Sequence, residues 1–111
     1  MIRVSITSRH FKAHETIQDY IKNEIENLAK YHEDILHADV IFSFEKSINS
    51  IKTCEIMLKL RDRIINARES TDDFVKSIDK AVDKVETQIL KYKDKHKKEK
   101  HDLKKEITKT I

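Results

Sequence analysis

FVKSIDKAVDKVETQILKYKDK, residues 74–95, is the stretch on which the fold turns. Phe74, Ile78, Val82, Val85 and Ile89 recur at helical spacing, so one side of this segment is apolar. With Lys76 at zero and an advance of about 100° per residue, those five positions gather near roughly 200°. Lys76, Lys80, Lys84, Lys91 and Lys95 fall between about 0° and 100°, with Gln88 just beyond them, while Asp79, Asp83 and Glu86 collect near roughly 280–340°. The spacing predicts a long helix with a greasy side, a cationic side and a neighbouring acidic strip. Ser70, Thr71, Asp72 and Asp73 stand just before it, N-cap candidates that also place acids at the positive helix end.

Such a helix needs an apolar surface to lie on, and the upstream segments provide one. Ile2, Val4 and Ile6 alternate with Arg3, Ser5 and Thr7, the pattern of a half-buried strand. Ile17, Tyr20, Ile21, Ile25, Leu28 and Tyr31 then mark a helix from about Glu15 to about Tyr31 with one buried stripe. Residues 39–45 alternate again, with Val40, Phe42 and Phe44 on one side. In residues 54–60, Cys54, Ile56, Leu58 and Leu60 share a side. A fourth strand, 64–68, follows the charged turn Arg61-Asp62-Arg63, which lacks the Gly or Asn that hairpins favour. The predicted order is strand, helix, three strands, helix: an α+β domain in which a four-stranded sheet carries both amphipathic helices side by side on its one apolar face.

Composition narrows the function classes. One domain fits the 111 residues, and the charged fraction of 39% is well above the usual quarter. Residues 1–70 hold 11 basic and 11 acidic side chains, whereas residues 71–111 hold 12 lysines and 9 acids, so the whole excess of +3 lies in the last segment. A basic excess confined to one element points to a polyanionic partner. The absence of Gly and Pro excludes phosphate-cradling glycine loops. No apolar run approaches the ~18 residues of a membrane span, and the N-terminus alternates where a signal peptide would be continuously apolar. With its single cysteine, Cys54, the chain is expected in a reducing compartment, the cytoplasm.

The lysine side carries the functional reading. Lys80 and Lys84, like Asp79 and Asp83, stand four residues from their own kind, which is mildly unfavourable. Lys76 with Asp79 and Lys80 with Asp83 offset part of that cost. A cationic stripe held at such expense suits a row of backbone phosphates, each neutralised phosphate releasing counterions. Elsewhere the bland interpretation holds. His96 and His101 are spaced poorly for shared metal ligation, and Cys54 reads as a packed core thiol. Tyr20, Phe42, Phe44 and Phe74 read as core, while Tyr92, among the lysines, stands open between core and base stacking. No Ser/His/Asp arrangement suggests catalysis, so no enzyme, cofactor, metal or small-molecule substrate is expected.

Three phrases in this order, Ile2-x-Val4-x-Ile6-Thr7-Ser8-Arg9, Leu28-Ala29-Lys30-Tyr31 and the run Ile78-Asp79-Lys80-x-x-Asp83-Lys84-x-x-x-Gln88-Ile89-x-Lys91-Tyr92-Lys93-Asp94-Lys95, resemble the short ribosome hibernation promoting factors. That family includes the ribosome-associated inhibitor of translation and the sigma-54 modulation proteins. The resemblance spans roughly residues 1–98, and the last helix is its specific part. It implies a β-α-β-β-β-α fold similar to a double-stranded-RNA-binding domain, with no catalysis. It also implies residence in the small ribosomal subunit, in the channel for mRNA and tRNA, in stressed or stationary-phase cells. Carried over by motif, rRNA contacts fall on Arg9, Lys30, Lys80, Lys84, Lys91, Lys93 and Lys95, with Gln88 as a polar companion; Lys76 joins them by helix geometry alone. His14 stands where the family often has a Thr N-cap, and Arg61-Asp62-Arg63 where it usually has Gly. Long members add a C-terminal dimerisation domain. Here a ribosome-binding domain, 1–98, is followed by a charged extension, 99–111, so pairing of ribosomes is expected to need a separate factor, and the chain to be a monomer off the ribosome. A general duplex-RNA-binding module is the alternative; an acidic protein or a membrane surface fits less well, because the sheet already takes the apolar side of the helix.

Overall fold

The computed structural model describes residues 2–9, 11–45 and 50–100, with side chains to residue 93. Its order is β1 (Arg3–Arg9), α1 (Glu15–Tyr31), β2 (His37–Glu45), β3 (Ile51–Lys59), β4 (Ile64–Thr71) and α2 (Phe74–Lys100). The expected α+β architecture is present, and α1 has the bounds its apolar spacing predicts. Residues 101–111, including His101, lie outside the described residues, as do the side chains of Lys95 and His96.

The sheet runs β1-β2-β3-β4. β1 lies parallel to β2, with α1 as the crossover that parallel pairing requires, and β2, β3 and β4 form an antiparallel meander. Register aligns the alternating positions into rows across the sheet. Ile6, Val40, Ile56 and Ala67 make one row, and Val4, Ala38, Leu58 and Ile65 the next. Those rows meet Ile21, Ile25 and Leu28 from α1 and Ile78, Val82, Val85 and Ile89 from α2 in one continuous core. The opposite face has no helix over it and carries Arg3, Ser5, Thr7 and Arg9 from β1, all exposed.

Where glycine would normally relieve the backbone, this chain improvises. Ser50 enters β3 in the left-handed region at φ 45°, a conformation that glycine adopts without steric cost. The 61–63 turn closes instead through Leu60, whose N–H donates to the Arg63 carbonyl at 2.8 Å. At the start of α1, His14 does the work of the missing Thr: its Nδ1 accepts from the Thr16 N–H at 3.5 Å, a long capping bond. β3 and β4 are longer than their alternation predicts, because polar Lys52, Thr53, Glu69 and Ser70 continue the ladder past the apolar run.

The aromatic side chains divide between core and rim. Phe42 is fully buried and meets Phe74 edge-on at 5.4 Å between centroids; Phe11 stacks on Phe74 at 5.3 Å and tilts against Phe44 at 6.0 Å. Phe44, Phe74 and Tyr20 are half-buried rather than enclosed. Tyr31 departs from expectation outright: it is 77% exposed. The chain leaves the helix at His32, and the imidazole, not the preceding phenol, turns inward. Cys54 is buried on the core row, and burial pushes its thiol up to about 12, so it remains a neutral packed group.

His32 closes α1 in an environment that disfavours charge. Its Nε2 stands 3.8 Å from a Glu86 carboxylate oxygen, and its buried Nδ1 has no partner among the described residues. Burial, and then the nearby Lys93 ammonium, lower its pKa from the ordinary 6.5, with Glu86 pulling weakly the other way.

Two measurements test this core. Phe42→Ala should cost about 3–5 kcal/mol, a large part of the roughly 5–15 kcal/mol available to a domain, read as a drop in urea midpoint. His32 holds its proton more weakly folded than unfolded. Its contribution is therefore complete above pH ~6.5 and is lost as the pH falls, because the unfolded chain then takes up the proton first. Between about pH 7.5 and 5 the parent should lose more thermal stability than His32→Gln; equal losses would remove His32 from the account.

Candidate nucleic-acid interface

α2 is held by contacts on two of its sides, and they determine what it leaves free. Asp73 caps it, its Oδ2 accepting from the Lys76 N–H at 3.2 Å. One turn in, the buried Ser77 hydroxyl donates to the Lys52 carbonyl of β3 at 2.7 Å. Further along, the Gln88 amide donates to the Asn66 carbonyl of β4 at 2.9 Å. At the far end the Tyr92 phenol donates to Asp62 in the β3–β4 turn, and the Arg63 guanidinium lies 4.6 Å from the centre of its ring. The bond to Asp62, aided by burial and the carboxylate's charge, pushes Tyr92 up to about 12.

The acidic strip faces α1. Tyr20 donates to Asp79 at 2.5 Å, a contact that pushes the phenol up to about 12. Burial and the charges of Asp79 and Asp83 raise Glu24 on the α1 side. Glu86 approaches His32, and Lys93 Nζ donates to the Tyr31 carbonyl at 3.1 Å, a cation at the negative end of α1.

What remains outward is the lysine side. Lys76, Lys80, Lys84 and Lys91 are all exposed. At 1.5 Å per residue they extend about 22 Å along the helix, with about 6 Å between the first three. Their ion pairs differ from those the sequence suggests. Lys76 reaches back to Asp72 at 3.6 Å, Asp79 is taken by Tyr20, and Lys84 pairs with Glu69 of β4. Lys80 and Lys91 have no acidic partner among the described residues. A solvent-exposed pair is worth only ~0–1 kcal/mol, so Lys76 and Lys84 can exchange a carboxylate for a phosphate at small cost.

The other expected contacts are dispersed. Gln88 is half-buried and spends its amide on Asn66. Lys93 points to α1, away from the stripe. Lys30 is exposed on the last turn of α1, beside a cleft of about 470 Å³ lined by Ile2, Glu26, Ala29, Glu33 and Ile35. Arg9 belongs to the exposed positions of β1, on the sheet face without helices. Tyr31 is exposed although it fits the apolar period of α1, and Leu90, at about 320° on the helical wheel beside the acidic strip, is 54% exposed. Among the described residues no group of three or more His, Cys, Asp or Glu side chains could hold a metal ion, and no helix is long and apolar enough to cross a membrane.

Comparison with known proteins places the chain. Residues 4–97 match the family model described as sigma 54 modulation protein / S30EA ribosomal protein. A ribosome hibernation promotion factor of Staphylococcus aureus (strain COL) is 28% identical over 102 residues, which are 92% of this chain and 54% of the relative. The chain thus spans about half the length of that protein. The N-terminal domain of Protein Y from Thermus thermophilus superposes with a TM-score of 0.72 at 26% identity, over 83% of this chain and 99% of that one. A ribosomal subunit interface protein from Coxiella burnetii reaches 0.76 at 24% identity, over 84% and 99%, a likeness of fold. With the family model matched across nearly the whole described domain, the chain belongs to the sigma 54 modulation protein / S30EA ribosomal protein family.

Proposed function

We propose that this protein is a ribosome-binding translation inhibitor, a hibernation factor that occupies the mRNA and tRNA channel of the small subunit through the lysine side of α2. The observation that carries this is the partition of α2: Ser77, Gln88 and Tyr92 bond to the sheet and its turn, Asp79 bonds to α1, and Lys76, Lys80, Lys84 and Lys91 stand outward in one row. Family membership supports the ribosome as partner, as do the names of a relative and a structural neighbour.

The mechanism is occlusion. The row of ammonium groups exchanges condensed counterions for rRNA phosphates, and the folded domain then fills space that mRNA or tRNA would need. No bond is made or broken, so the protein acts as a binding factor in the cytoplasm, a monomer until it meets the subunit.

The chain should co-sediment with purified small subunits at low salt and dissociate steeply as salt rises. Neutralising Lys80, Lys84 and Lys91 together with Gln should flatten the log–log salt slope by about 2 to 3, near one unit per lost phosphate contact. Reversal to Glu should abolish co-sedimentation while circular dichroism stays unchanged. Retained binding by the reversed variant would refute the assignment. Full competition by an arbitrary RNA duplex would favour a general duplex binder instead.

A further inference from the structure

We infer that Tyr31 is a stacking platform for an unpaired rRNA base, flanked by Lys30 and Lys93 as phosphate contacts; this rests on the ribosome-binding function proposed above. Of the seven aromatic side chains, Phe42 and Tyr92 are buried. Phe11, Phe44 and Phe74 pack on one another, and Tyr20 is tied to Asp79. Tyr31 alone among them is fully outward, and its ring and hydroxyl have no partner among the described residues.

A single exposed aromatic is ordinary on a protein surface, so the setting has to carry the inference. Tyr31 is the last residue of α1, and its carbonyl is fixed by Lys93 from α2, so the ring projects from a backbone anchored to both helices. Lys30 is exposed beside it, and Leu90, one turn before Lys93, is also exposed. Beneath lies a shallow groove of about 170 Å³, with Leu28 and Val82 as apolar lining and Asn27, Glu24 and Glu86 at its polar edges. An exposed ring with the Lys93 ammonium at its own carbonyl, and the exposed Lys30 one residue away, matches a nucleotide, whose base stacks while its phosphates meet ammonium groups. Ring-on-base contact of this kind needs a base already free of a duplex, as in rRNA loops, since the deep groove of paired RNA hides its bases from side chains.

The test uses the full chain and purified small ribosomal subunits. Tyr31→Ala should weaken binding about tenfold, on the order of one stacked base, with an unchanged melting temperature. Tyr31→Phe should bind like the parent, because stacking needs the ring and not the hydroxyl. The chain has no tryptophan, so Tyr31→Trp supplies a single reporter, and its emission should be quenched when subunits are added. Binding by Tyr31→Ala within twofold of the parent would overturn the inference. So would a Phe variant as weak as the Ala variant, or unquenched Trp emission. If the lysine variants lose binding while Tyr31→Ala keeps it, stacking alone is refuted. If the parent itself fails to bind subunits, the ribosome assignment falls and the stacking role with it.

Discussion

The rows of β-branched and aliphatic side chains on one face of the sheet have a single way out of water, the apolar sides of α1 and α2. Ile6, Val40, Ile56 and Ala67 run straight across four strands, and the helices must lie over them. That constraint orients α2 about its own axis. Once Ile78, Val85 and Ile89 are fully buried, residues on the far side of a 3.6-residue period have nowhere to go but outward. The cationic surface is the geometric complement of the hydrophobic one.

Electrostatics refines that orientation. Acids on the α1 side of α2 engage a phenol and an imidazole, while in the lysine row Lys76 meets Asp72 at the helix start and Lys84 meets Glu69 of β4. Charges of opposite sign are thereby sorted to the two flanks of one helix. A polyanion approaching the lysine flank meets its attraction first, with the repulsive carboxylates turned into the seam between the helices. Part of the like-charge cost at i,i+4 is relieved one residue at a time, Tyr20 taking Asp79 and Glu69 taking Lys84.

Periodic features were legible in the sequence, and features fixed by a single contact were not. The bounds of α1 and the existence of every element follow from apolar spacing, because burial of a side is a property of many residues at once. The ends of β3 and β4 depend on backbone pairing of polar Lys52, Thr53 and Ser70, which leaves no hydropathic trace. Tyr31 fits the period of α1, yet lies exposed because the chain turns at His32. Helical angle placed Lys76, Lys80, Lys84 and Lys91 on one side, and the structure agrees. It could not foresee that Gln88 reaches a strand carbonyl or that Lys93 reaches a helix end, since both depend on a neighbouring element's backbone. Tyr92 resolves as an anchor to the β3–β4 turn.

With helices over only one side of the sheet, this domain has no redundant covering for its interior. The element that carries the exposed lysine row also shields Ile56 and Leu58 of the sheet from water, so a chain that has lost α2 has lost both that row and its solvent barrier. Occupancy and folding are therefore thermodynamically linked: a polyanion that recognises only the docked helix draws the population toward the native form in proportion to its free concentration over Kd. A domain built this way is most durable while it is engaged and most vulnerable to proteolysis when released.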